Sequence, residues 1–207
     1  MKFSARSLLI GSDDSGSMVF EENGERIDDL KMIVSRAISA ALLFDDDGIS
    51  IRFMKWFPGK PSPNGVDTRN FKLDNITSEE ELKKIIECVN FSGLTPLGSA
   101  LQERILQPMV LDPISRRTLK KPILILAITD GKPAGETLGT RALHDGIKNT
   151  AATLSRSQYG VGAVSYQIAQ VGNDKPATEW LRALDNDPEV GHLVDVTSSR
   201  FPSHIVL

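Results

Sequence analysis

The chain has 207 residues, 40% of them hydrophobic and 25% charged, a balance that excludes a disordered or fibrous chain and is enough to build a sizeable core. Its formal net charge of -3 excludes the global basic field by which proteins hold nucleic acid or an anionic membrane surface. A lone cysteine, Cys88, rules out an internal disulfide and fits a core position in a reducing, cytoplasmic setting.

In chain order, the basic N-terminus runs into an apolar stretch too short for a signal peptide, and no segment approaches the ~20 apolar residues of a membrane span. Residues 7–12 read as a short buried strand around Leu8, Leu9 and Ile10. Residues 25–44 carry Ile27, Leu30, Ile33, Val34, Ala37, Ile38, Ala41 and Leu42 at helical intervals, an amphipathic helix with a wide apolar stripe. Asp45, Asp46 and Asp47 then read as a solvated turn. Ile49, Ile51 and Phe53 alternate with polar residues, as in a strand. Residues 58–70, rich in Pro and Gly, form a loop, and residues 71–76 an edge strand. Trp56 and Phe57 beside that loop are expected to close the sheet edge.

Residues 77–89 open with Thr77 or Ser78 as helix cap and bury Leu82, Ile85, Ile86 and Val89. Residues 95–106 form a helix with Pro96 in its first turn. Residues 122–131 are almost continuously apolar up to Thr129, the mark of a strand covered on both faces, with the exposed basic group Arg116, Arg117, Lys120 and Lys121 before it. A helix over 140–157, weakened by Gly146, a strand over 161–172, a helix over 177–184 and a strand over 192–198 complete the pattern. Such alternation specifies a mostly parallel sheet between helices, one α/β domain over residues 1–207, with ligands bound beyond the carboxyl ends of the strands.

Three polar clusters stand at element ends. Ser12, Asp13, Asp14, Ser15 and Ser17 follow the first strand, Thr95 stands at a loop-to-helix junction, and Asp130 follows the most hydrophobic strand. The first and third share a rim if the sheet is parallel; Thr95 reaches it only if its loop folds over. Asp13 and Asp130 brought together would raise each other's pKa unless a cation neutralised them. With Ser15, Ser17 and Thr95 they would form an all-oxygen donor set that suits Mg2+, or Mn2+ or Ca2+, over zinc or copper. Asp14 alternates away and reads as a solvated neighbour, and His144, His192 and His204 show no ligand spacing. Taken singly, the serines also suit turn caps, Thr95 a helix N-cap and Asp130 a turn before Gly131.

Asp13-x-Ser15-x-Ser17, then Thr95, then Asp130 before Gly131 resembles the metal-ion-dependent adhesion site of von Willebrand factor A domains, in order and in placement, from Ser7 to about Ser198. The sequence around these residues resembles intracellular, fungal-type members more than integrins. The resemblance implies a Rossmann-like three-layer α/β/α fold whose central six-stranded sheet has one antiparallel edge strand. It implies that Ser15 and Ser17 ligate the ion directly, that Asp13, Thr95 and Asp130 do so directly or through water, and that a partner protein's Asp or Glu takes the open position. A non-enzymatic protein-binding module, monomeric by itself, is therefore expected. The alternatives are a Mg2+-dependent receiver-like phosphoacceptor domain with Asp130 and Lys132 in the key roles, which leaves Ser15 and Ser17 unexplained; a Mg2+-assisted hydrolase, for which no histidine or cysteine falls near the clusters; and a scaffold whose metal site is unused.

Overall fold

Five short apolar segments pair into one sheet in the computed structural model, which describes residues 7–20, 22–43 and 47–197. The strands β1 (Ser7–Ser12), β2 (Ile49–Phe53), β3 (Ile123–Thr129), β4 (Val164–Gln170) and β5 (Val194–Thr197) lie in the order β2-β1-β3-β4-β5, every pairing parallel. The N-terminal segment 1–6, Asp45, Asp46 and the segment 198–207 with His204 lie outside the described residues.

Helices cover both faces. On one side, α2 (Glu25–Ala41) follows the short α1 (Ser17–Phe20) and packs with α3 (Glu79–Glu87) on Leu8, Ile10, Ile49, Ile51 and Ile128. The expected stripe of α2 is the buried one, Leu30, Ile33, Val34, Ala37 and Ile38. Cys88 belongs to this core. On the other side, α4 (Leu97–Leu101), α5 (Asp112–Ser115), α6 (Ala142–Ser155) and α7 (Lys175–Asp185) pack on Leu9, Ile125, Ala127, Tyr166 and Ile168. Leu9 faces opposite to Leu8 and Ile10 because side chains alternate along a strand. Each such buried Leu or Ile contributes about 1.5–3 kcal/mol of apolar transfer free energy.

Two elements depart from the sequence reading. The helix expected over 95–106 runs on through wide, π-type turns at Gln102–Leu111 into α5. Pro108 sits inside the wide section, where the carbonyl that its ring would crowd in a regular α-helix is displaced. Residues 71–76 do run antiparallel to β2, but they meet it through the isolated bridge Ile49–Ile76 and the Ile51 N–H to Leu73 O bond, without forming a strand. Among the described residues the sheet therefore has five strands rather than six. Among the same residues, no helix is long and apolar enough to cross a membrane.

Register positions the functional rim. Ser12 lies opposite Phe53 on one side and Ile128 on the other, so β1, β2 and β3 end level with one another. Asp13 and Met54, which follow β1 and β2, and Thr129–Asp130, at the end of β3 and just after it, emerge at one edge.

Candidate functional site

The turn after β1 is built on the fully buried carboxylate of Asp13. Its Oδ1 accepts the Ser15 N–H at 2.8 Å, and its Oδ2 accepts the Thr129 hydroxyl at 2.7 Å. The Asp13 N–H itself bonds Ile128 O at 2.9 Å, continuing the ladder between β1 and β3. Ser15 Oγ and Ser17 Oγ lie 3.0 Å apart, and the Ser17 hydroxyl donates to Asp130 Oδ1 at 3.0 Å. The other oxygen of Asp130 accepts Nη1 of Arg26, from the first turn of α2, at 2.6 Å. The two expected acids and both serines thus belong to one hydrogen-bonded cluster.

The loop that carries Thr95 folds over the same rim. Ser92 N–H bonds Asp14 O at 2.8 Å, Gly16 N–H bonds Gly93 O at 3.1 Å, and Ala134 N–H bonds Thr95 O at 2.9 Å. A β-carbon placed on Gly131, next to Asp130, would lie 3.8 Å from Thr95 Oγ1. The N-cap role expected of Thr95 falls to another residue. The N–H groups of Gly98 and Ser99 bond the Glu136 carboxylate at 2.7 and 2.8 Å, and the Ser99 hydroxyl donates to it at 2.5 Å. Among the described residues Thr95 Oγ1 has no hydrogen-bond partner.

The electrostatics follow from burial. Loss of solvent, and secondarily the Asp130 charge, push the Asp13 carboxyl up to about 6, against the opposing hydrogen bonds from Ser15 and Thr129. The cluster therefore holds more negative charge than its own donors stabilise. Asp13, Asp130, Ser15, Ser17 and Thr95 would together offer two carboxylates and three hydroxyls, all hard oxygens, a set whose chemistry fits Mg2+, Mn2+ or Ca2+.

Asp14 corrects the sequence reading. It is fully buried rather than solvated, because the turn breaks strand alternation and points its carboxylate at the end of β2. There it accepts Trp56 N–H at 2.7 Å and Lys55 N–H at 3.1 Å, with Lys55 Nζ at 3.6 Å. Burial raises its pKa against these partners. Asp14 thus ties β2 to the β1 turn. Trp56 packs edge-on to Phe53 in the core, 5.4 Å between ring centroids, whereas Phe57 is exposed beneath Lys60 and Arg104.

Three contributors escaped the sequence reading: Arg26, Thr129 and Glu136. Arg26 is held in place from behind by Gly172, whose φ is +71° and on which a β-carbon would fall 2.4 Å from Arg26 Nε. A second cluster was also missed. His144 lies 3.4 Å from Asp187 and 3.2 Å from Glu189, three groups whose ligand atoms all fall within 4.8 Å of one another. Arg141 and Lys148 already neutralise it, and the backbone N–H groups on Asp187 and the Lys148 ammonium on Glu189 hold both carboxyls below their usual range.

Compared with known proteins, the chain matches no family model and no curated protein.

Proposed function

We propose that this chain is a von Willebrand factor A-like protein-interaction module that binds its partner through a divalent cation. The observation that carries this reading is the meeting of Asp13, Ser15, Ser17 and Asp130 in one largely buried cluster, with the Thr95 loop laid over it. Ser15, Ser17 and Thr95 would offer hydroxyl oxygens, and Asp13 and Asp130 carboxylate oxygens directly or through water. A Mg2+, Mn2+ or Ca2+ ion held there supplies positive charge and a coordination position facing outward.

Charge explains why that position selects an acid. Two carboxylates and the Arg26 guanidinium leave the rim one negative charge in excess; a divalent cation turns that into one positive charge. A partner's Asp or Glu then neutralises the site, and without the cation the same group is repelled. The module acts by binding rather than catalysis, and is monomeric by itself and intracellular. In this reading, residues 71–76 correspond to the family's antiparallel edge strand, reduced here to one bridge with β2.

Thermal unfolding in EDTA, Mg2+, Mn2+ and Ca2+ tests the proposal. A cation that binds only the folded chain stabilises it by RT ln(1 + [L]/Kd), about 2.7 kcal/mol at a hundredfold excess over Kd. The Asp13→Ala and Thr95→Ala variants should lose the gain while remaining folded. Equal stability of the wild type in EDTA and in all three cations sinks the reading.

A further inference from the structure

We infer that the partner's acid sits among large apolar side chains, which Phe20 and Leu94 receive beside the metal position. This inference rests on the metal-dependent reading above and specifies the partner chemistry that this chain selects. Singly exposed apolar residues are ordinary on a protein surface. Here the two most relevant ones stand on the segments that carry the proposed ligands. Phe20, 82% exposed, ends the helical turn that begins at Ser17, and Leu94, 61% exposed, directly precedes Thr95. Val19, also exposed, extends the patch beside Phe20.

Neither side chain hangs free. The Ser92–Asp14 and Gly16–Gly93 bonds join their two segments. A β-carbon on Gly16 would lie 3.4 Å from the Phe20 ring and 3.7 Å from Gly93 N, so ring and backbone flank the same small residue. Leu94 lies over Gly135, where a β-carbon would come within 2.8 Å of its Cδ1. The absence of a side chain at Gly135 is what lets Leu94 rest on that loop, and the Phe20 ring lies against Gly16 at ordinary packing distance. Both therefore stand on the backbone segments that carry Ser17 and Thr95.

The charge of the same surface identifies the occupant. In residues 13–20, 91–96 and 130–135 the acids Asp13, Asp14 and Asp130 are all buried, and the exposed charged side chain is that of Lys132. The Lys55 ammonium hydrogen-bonds Leu94 O beside them. With a divalent cation in the site, an approaching segment would meet positive charge at the centre and apolar surface around it. The matching ligand is a protein segment with one Asp or Glu flanked, within about three residues, by Leu, Ile, Met or an aromatic residue. A highly acidic, apolar-poor segment would satisfy the ion and leave Phe20 and Leu94 in water.

The test is selection of a displayed random peptide library on the intact chain in Mn2+, with EDTA elution. Binding of Mn2+ itself is measured separately by calorimetry on the wild type, Phe20→Ala, Leu94→Ala and the double variant. The expected result is EDTA-eluted peptides with an acid flanked by large apolar residues. Synthetic versions should bind at least tenfold more weakly to each single variant, with Mn2+ affinity unchanged. Selected peptides without apolar flanks, variants that bind them as well as the wild type, or no EDTA-dependent enrichment despite bound Mn2+ would each overturn the inference while leaving the metal-site reading standing. A wild-type chain that dimerises through this face, and loses the dimer on Phe20→Ala, overturns it by assigning the patch to a second copy. Absence of Mn2+ binding to the wild type removes the underlying reading itself, and this inference with it.

Discussion

Replacing Asp13 with Asn in the metal-free chain isolates the charge that the rim carries. Burial, and secondarily the Asp130 charge, push the Asp13 carboxyl from its ordinary 3.8 up to about 6 in the folded chain. A raised folded pKa means that stability from this group is fully present below the unfolded value and is lost as pH rises through the folded one, here across the window from 3.8 to about 6. The whole shift corresponds to about 3 kcal/mol, and the part that falls between about pH 4.5 and about pH 7.5 to about 2 kcal/mol. Asp13→Asn removes the titration while keeping one oxygen for Ser15 N–H or the Thr129 hydroxyl. Urea unfolding of wild type and variant in EDTA, at those two pH values, cancels the remaining carboxylates. The stability of Asp13→Asn relative to wild type should rise by about 2 kcal/mol on going from the acidic to the neutral condition. A difference independent of pH would refute the argument, because Asp13 would then be neither desolvated nor opposed by Asp130.

Thr95→Val should change stability in EDTA by less than about 0.5 kcal/mol, because Glu136 rather than Thr95 caps α4, whereas Glu136→Ala should cost about 1.5–3 kcal/mol; urea midpoints compare the two. The same Thr95→Val should weaken Mn2+ binding at least tenfold by calorimetry. Arg26→Met leaves Asp130 buried without its cation and should cost about 3–5 kcal/mol in EDTA, part of which returns in saturating Mg2+ as thermal stability. Gly172→Ala, strained at φ +71° and directed at Arg26, should cost at least about 2 kcal/mol, and the double variant with Arg26→Met should lose less than the sum of the two, since both act on one contact.

Much of the layout is legible because periodicity follows burial. The α2 stripe and the alternating Ile49, Ile51 and Phe53 each face a single core, so local pattern and final environment agree. Where long-range contacts decide, the pattern fails. Pro108 would end an isolated helix, yet packing of Ile105, Leu106 and Val110 carries the chain through it in a wider winding. Strand alternation sends Asp14 to solvent, but the strand has ended by Ser12, and the turn aims the carboxylate at Lys55 and Trp56. Glu136 caps a helix whose first turn lies 38 residues earlier, a pairing with no local signature. Arg26 did carry a readable hint. A cation in the first turn of a helix opposes the macrodipole, and so calls for a carboxylate partner from elsewhere. Asp130 is that partner.

The same contacts bear on the phosphoacceptor alternative. Phosphorylation of Asp130 would need one of its oxygens free to attack phosphorus. Oδ1 is held by the Ser17 hydroxyl at 3.0 Å and Oδ2 by Arg26 at 2.6 Å, and the residue is fully buried. An acyl phosphate there would lose one charge-assisted bond, worth about 1.5–3 kcal/mol. Lys132, the other residue that alternative needs, is exposed next to Asp130. Incubation with acetyl phosphate and Mg2+ should therefore leave the intact mass unchanged. A stable phosphate adduct that disappears in Asp130→Asn would reverse this conclusion, and would make Ser17 and Arg26 gates on the acid rather than its fixed partners.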